Sequence, residues 1–389
     1  MKSMNSQTSL RVPIMILFIL VLLLSACQAL EPSQSAQADS PAAAEQESSA
    51  AAEPVQEAVE EPEAAVEQES TEELQEEQAV EEAEAAVEQE ASDEPQLATA
   101  KASAKLTNQP GRAIVSARGN HFIVDSVPPL EGPNEELNPL DMILGSLATC
   151  GMFIAERVAQ EEAIPLEDVL VAVEGDLDAS GVAGSGADPR LQQMRVHLDL
   201  PGANEEQAAQ IVDNFTVRCP IYTTLSRATD IEITVGNEVP SAAIEGLNTA
   251  KLSAQLSNQP GRAIVSARGN HFVIDSVPPL EGPNEERNPL DLILGSLATC
   301  GTFIFERSAQ ELDIPLTSLT TLVEGDFDPR GVAEMGSIDP RIQAFRVMIE
   351  AEGIDDAQAE TMTEQFQQRC PIYTTLQRAA PVEITVTTN

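Results

Sequence analysis

Residues 138–150 read NPLDMILGSLATC and residues 288–300 read NPLDLILGSLATC, and the way this stretch must fold decides the rest of the chain. Asn138 is placed to cap a helix. Pro139 takes the first helical position, where a missing N–H costs nothing, and Asp141 is placed to return a hydrogen bond to the cap. From Leu140 to about Gln160 most turns are apolar, with Gly145, Ser146, Ala148 and Gly151 interspersed. A helix apolar nearly all round belongs in a core, and its small residues predict close packing against another backbone.

Working outward, the stretch belongs to a longer repeat. Residues 104–150 recur as residues 254–300 with six changes, and RCPIYTTL occurs at 218–225 and again at 369–376. A solenoid needs three or more small units, so this is one domain of about 135 residues written twice. The copies are placed at 100–238 and 250–389, joined by a connector at 239–249. Within a copy, Ala113 to Ser116 and His121 to Asp125 are β-branched and apolar and read as a hairpin around Ala117-Arg118-Gly119-Asn120. A Pro-rich loop runs from Ser126 to Leu137. After the long helix, strands are expected at Val169 to Glu174 and Met194 to Leu200, an amphipathic helix at Glu205 to Val217, a short helix after Pro220 and a last strand at Ile231 to Val235.

The amino-terminal third has a different composition. Lys2 and Arg11 precede the apolar run Ile14 to Leu24, which is the size of a signal-peptide core and short for a membrane span. It ends in Ser25-Ala26-Cys27, which resembles a bacterial lipobox, so residues 1–26 are expected to be a lipoprotein signal peptide and Cys27 the lipid-bearing residue. The expected location is the extracytoplasmic side of the cell membrane or outer membrane. The other possibility is an uncleaved anchor with an incidental cysteine. Residues 27–99 read as an acidic disordered tether. Between Gln28 and Ala100 lie 22 acidic residues and no basic one, and Gln28 to Pro95 has no aromatic residue and no glycine to build a core from. Such a coil would reach on the order of 45 Å and hold a folded head off the membrane. The formal net charge of −43 excludes a phosphate-binding surface, and with it nucleic acid as the main partner.

Four cysteines remain, Cys150 and Cys219 in one copy and Cys300 and Cys370 in the other. In an exported protein a structural disulfide within each copy is one reading. The positions also allow something more reactive. Cys219 precedes Pro220 and a helix, so backbone N–H groups favour its thiolate. Cys150, in apolar surroundings, has a raised pKa unless a cation reaches it, the candidates being Arg112 and Arg118.

A strand hairpin, NPLDMILGSLATC on a long helix, then RCPIYTTL and a closing strand resemble the OsmC/Ohr family (osmotically inducible protein and organic hydroperoxide resistance protein) over nearly the whole of both copies. The segment from Arg118 to Asp125, RGNHFIVD, looks closest to a branch distinct from the organic hydroperoxide resistance enzymes. The resemblance implies an α+β fold, with strands of two subunits wrapped into an intertwined dimer and the cysteine helices at its centre. Here the two copies would form that assembly as an intramolecular pseudo-dimer. It also implies a thiol-dependent peroxidase in which Cys150 and Cys300 attack the peroxide and Cys219 and Cys370 resolve, passing through sulfenic acid to a disulfide. The implied partners are an organic or lipid hydroperoxide and a dithiol reductant of unknown identity, and no cofactor is implied.

The sequence departs from that pattern at one place. Peroxide-reducing members carry a Glu directly after Asn-Pro and an Arg near the start of the first hairpin. Here the post-proline residue is Leu140 (Leu290), and the acid is Asp141 (Asp291), one residue and about 100° further round the helix. Asp141 (Asp291) is expected to act as the capping partner of Asn138 (Asn288), with a supporting role at the site as the alternative. Arg112 (Arg262) fits the hairpin-start position, whereas Arg118 (Arg268) is expected to occupy a turn, with a supporting role as the alternative. His121 and His271 stand alone at strand starts, His197 has no counterpart in the second copy, and no metal role is expected. Glu156-Arg157 and Glu306-Arg307 read as helix-end charge pairs. Two functions follow: a membrane-anchored peroxidase with a cysteine pair per domain, or an inactive OsmC-like binding or structural module held by structural disulfides.

Overall fold

A computed structural model describes residues 95–236, 242–333 and 338–389. The leader, Cys27 and most of the acidic segment lie outside the described residues. The first copy opens with strands β1 (Ala98–Leu106), β2 (Arg112–Ala117) and β3 (Asn120–Asp125). Helix α1 (Pro139–Glu161) follows, then β4 (Leu170–Leu177), α2 (Ala179–Val182), β5 (Gln193–Asp199), α3 (Glu205–Arg218), α4 (Pro220–Leu225) and β6 (Asp230–Val235). The second copy repeats this as β7 (Asn248–Leu256), β8 (Arg262–Ala267), β9 (Asn270–Asp275), α5 (Pro289–Glu311), β10 (Ser318–Phe327), α6 (Arg330–Ala333), β11 (Ala344–Glu352), α7 (Asp356–Arg369), α8 (Pro371–Leu376) and β12 (Val382–Thr388).

The strands do not keep to their own copies. One sheet runs β12-β11-β10-β1-β2-β3 and the other β6-β5-β4-β7-β8-β9, so each combines three strands of one copy with three of the other. The seams are antiparallel, β1 on β10 from Ala98 opposite Phe327 to Lys105 opposite Thr320, and β7 on β4 from Asn248 opposite Leu177 to Gln255 opposite Leu170. Strand β1 was not foreseen. Its buried positions are the alanines Ala102 and Ala104, which leave little apolar alternation to detect.

The long helices form as their first residues dictate. The Asn138 carboxamide oxygen accepts from the N–H groups of Leu140 (2.9 Å) and Asp141 (3.0 Å), and the Asp141 carboxylate accepts from the Asn138 N–H (2.9 Å). Helix α5 has the same capping box on Asn288 and Asp291. Both helices are long and apolar enough to cross a membrane, yet both are buried inside the protein, α1 from Asp141 through Ala155 without interruption. The small residues do admit close neighbours, but these are side chains rather than backbone. A Cβ on Gly295 would meet Met142 Cε of the other copy's helix at 2.6 Å, and one on Gly151 would meet the Phe215 ring at 2.9 Å.

Candidate active site

Each long helix delivers its cysteine to a partner in the same copy. Cys150 on α1 is disulfide-bonded to Cys219, and Cys300 on α5 to Cys370, with Cα separations of 6.1 and 6.0 Å. Cys219 ends α3 and caps α4, where its sulfur accepts from the Tyr222 N–H at 3.2 Å; Cys370 does the same with Tyr373 at 3.3 Å. The second cysteine of each pair is fully buried. The first is also buried, but it forms part of a cavity wall. A cavity of about 550 Å³ reaches Cys150 and one of about 540 Å³ reaches Cys300.

Both cavities are built from both copies. Around Cys150 the first copy supplies β1, Phe153 and Arg118, while the second supplies the Pro-rich loop from Val277 and the helix start Pro289-Leu290-Asp291. The walls are mainly apolar. Leu290 stands in the Cys150 cavity and Leu140 in the Cys300 cavity, so the position where peroxide-reducing relatives are expected to carry Glu provides apolar wall here.

The charge comes from the neighbouring residue. Arg118 donates from Nε (2.9 Å) and Nη2 (2.7 Å) to Asp291 Oδ2, and further to the carbonyls of Asn284 (3.0 Å) and Glu286 (2.6 Å). With the copies exchanged, Arg268 donates to Asp141 in the same way. Asp141 and Asp291 are therefore more than capping partners, because each carboxylate also holds an arginine of the other copy. Arg118 does occupy a turn, at φ +49°, and its side chain reaches across from there into the cavity.

Arg112 and Arg262 lie elsewhere. Arg112 pairs with Asp125, its cross-strand neighbour, through Nε (2.6 Å) and Nη2 (2.9 Å), and with Glu135 at 3.0 Å. Neither arginine belongs to a cavity wall with a cysteine. The bond to Asp125 pushes the Arg112 guanidinium above its ordinary pKa. Burial pushes the Asp125 carboxyl up, but the Arg112 bonds and the N–H groups of Glu136 and Glu135 outweigh this and hold it below the usual carboxylate range. The hairpin-start arginine thus pins β2 and β3 to the following loop, and the arginine that shares a cavity with Cys150 is Arg118.

The histidines and the charged residues late on the long helices sit apart from the cavities. His121 meets Ser116 Oγ at 2.8 Å on the exposed side of the hairpin, and His197 is buried against Thr234 at 3.0 Å. Among the described residues no group of three or more His, Cys, Asp and Glu is gathered to hold a metal ion. Glu156 does not pair with Arg157. It accepts from the Gly261 N–H of the other copy (3.0 Å), and burial raises its carboxyl pKa, while Arg157 binds Glu161 and Glu281 (2.7 Å each). Sequence reasoning missed the cavity residues Phe153, Phe327 and the loop from Val277. Their only local signal was the Pro-Pro of that loop.

An interleaved α+β pair of copies, each with a cysteine on a central helix bridged to a cysteine before a short helix, defines a narrow class of protein. A model of the OsmC-like protein family matches residues 132–234 and 282–385, and the chain belongs to that family. It is 26% identical over 103 residues to the hydroperoxide reductase of Mycoplasma genitalium, an alignment covering 25% of this chain and 69% of that protein. Among solved structures it is similar to the OsmC-like protein of Mycoplasma pneumoniae (16% identity, 36% of this chain and 96% of that one, TM-score 0.31). It is similar also to the organic hydroperoxide resistance protein OsmC of Legionella pneumophila (19% identity, 35% of this chain and 96% of that one, TM-score 0.29).

Proposed function

We propose that this protein is a thiol-dependent hydroperoxide reductase with two sites, held at an envelope membrane by a lipid on Cys27. The observation that carries the reading is that one cysteine of each pair stands in the wall of an apolar cavity whose wall also holds an ion-paired arginine. In the reduced protein the Cys150 thiolate attacks the terminal oxygen of ROOH. The O–O bond breaks, the alkoxide leaves and takes a proton from water to become ROH, and Cys150 becomes sulfenic acid. The Cys219 thiol then attacks the Cys150 sulfur, a disulfide forms and water leaves. An external dithiol restores both thiols by exchange and is itself oxidised. Arg118, held by Asp291, supplies the positive charge that favours the Cys150 thiolate, and Arg268 serves Cys300. The relative from Mycoplasma genitalium, named a hydroperoxide reductase, supports this chemistry.

The test is consumption of an alkyl hydroperoxide with dithiothreitol as reductant. Cys150→Ser should remove about half the turnover and Cys150→Ser/Cys300→Ser all of it; an unchanged rate in the double variant would sink the proposal.

A second reading rests on the full burial of Cys219 and Cys370. In it the disulfides are structural, and the cavities bind apolar ligands without turnover. Counting free thiols by mass after mild dithiol treatment separates the two. Disulfides that survive such treatment favour the structural reading.

A further inference from the structure

The two cavities differ at one place only. Each is lined by twenty residues; seventeen match between the copies and three do not. The three differences adjoin one another. In the Cys150 cavity Ala98 lies directly opposite Phe327 across the β1–β10 seam, and Pro329 follows two residues on. In the Cys300 cavity the equivalents are Asn248 opposite Leu177 across the β7–β4 seam, with Ala179.

These changes act together chemically. Phe327 gives the first cavity an aromatic face at this rim, where Ala98 offers no side-chain donor and Pro329 neither a side-chain donor nor a backbone N–H. In the second cavity Asn248 is exposed, and its carboxamide oxygen accepts from the Ala179 N–H at 3.4 Å, a bond that a proline in that position could not make. The Asn248 NH2 group has no protein partner among the described residues, so it can donate to a ligand. The rim lysines do not distinguish the sites, since Lys101 pairs with Glu324 at 2.7 Å and Lys251 with Glu174 at 2.8 Å.

We propose that the two sites serve different hydroperoxides: the Cys150 cavity those whose far end is aromatic or wholly apolar, the Cys300 cavity those whose far end carries a hydrogen-bond acceptor such as a carboxylate or carbonyl. This rests on the peroxidase reading, and the experiment separates the two. Full-length chain with one working site is made as Cys300→Ser/Cys370→Ser, which keeps the Cys150 site, and as Cys150→Ser/Cys219→Ser, which keeps the Cys300 site. Each is assayed with cumene hydroperoxide and with its para-carboxylate under dithiothreitol.

The ratio of kcat/KM for the two substrates should differ about five- to tenfold between the chains, the size expected from one apolar face and one hydrogen bond. Adding Ala98→Asn/Phe327→Leu/Pro329→Ala to the Cys150-site chain should move its ratio to that of the Cys300 site. Ratios equal within about twofold, or a ratio that the triple substitution leaves in place, would overturn the inference. Absence of turnover in both chains would instead overturn the peroxidase reading. Equilibrium binding of the two product alcohols, 2-phenylpropan-2-ol and its para-carboxylate, to the same chains then decides the inference by the same ratio.

Discussion

Arg118 sits in a two-residue hairpin turn with Gly119, both at positive φ, a conformation that Asn or Gly adopts at least cost and that an arginine adopts at about 1 kcal/mol or more. What the position gives in return is reach, because the guanidinium meets Asp291 of the other copy. Sequence reasoning identified the cysteines, the cap and both candidate arginines. It favoured Arg112 because that residue fits the hairpin-start position of the family; the partner of Arg118 lies 173 residues away, and no local pattern announces it. Asp141 was legible as a cap for the same reason, since its bond to Asn138 is local and its bond to Arg268 is not.

The crossed pairing makes a prediction that a purely structural role would not. Asp291→Asn, although in the second copy, should slow turnover at the Cys150 site on the order of a hundredfold, the scale of a misplaced catalytic group, and leave the Cys300 site within about twofold. Assays in the two single-site chains read this directly. Equal losses at both sites would count against the assignment of Arg118.

At the scale of elements, helices α1 and α5, the hairpins and the Cys-Pro turns were legible because their signals are local: caps, proline positions, alternating β-branched residues. The interleaving of strands was expected only from the family resemblance; which strands meet, β1 with β10 and β4 with β7, was not legible, because strand exchange leaves no mark on the exchanged strand. Asp176 ties one seam together. It accepts from Arg195 on β5 (2.7 and 3.0 Å), from Thr249 Oγ1 on β7 (2.7 Å) and from the Ile244 N–H ahead of β7 (3.0 Å). Burial pushes its carboxyl up, but these bonds outweigh that and depress its pKa to about 2.

A carboxyl depressed in the folded state binds fewer protons there than in the unfolded chain. Its contribution is therefore fully present above the unfolded value near 3.8 and is lost as pH falls toward about 2. Asp176→Asn should cost about 2 kcal/mol at neutral pH. It should also flatten the acid limb of the stability curve between those two values, measured by urea unfolding across pH.

For the whole molecule, many contacts between copies come in exchanged pairs. Arg118 on Asp291 matches Arg268 on Asp141, and the Gly111 N–H on Glu306 matches the Gly261 N–H on Glu156. Some contacts among the described residues have no counterpart, the Ala179 N–H on Asn248 among them, and one involves a charge. Arg287, which stands where the first copy has Leu137, lies 4.6 Å from the centre of the Phe122 ring and 5.6 Å from that of Phe272, one ring from each copy, and burial lowers its guanidinium pKa. Exchanging the copies carries Phe122 onto Phe272, so an arginine at 137 would be drawn to the same two rings. Leu137→Arg should therefore destabilise the chain by about 1–2 kcal/mol, through crowding of two partly desolvated cations. Arg287→Leu should change stability by less than about 1 kcal/mol. Thermal unfolding of the two variants side by side checks both.

Two identical subunits meeting about an axis must present every mutation to its own image, so a residue there is tolerated only if it tolerates itself. Joining the copies in one chain removes that rule. Arg287 shows what this allows: a charge whose duplicate would crowd it stands once, with Leu137 at the equivalent position, beside one ring from each copy.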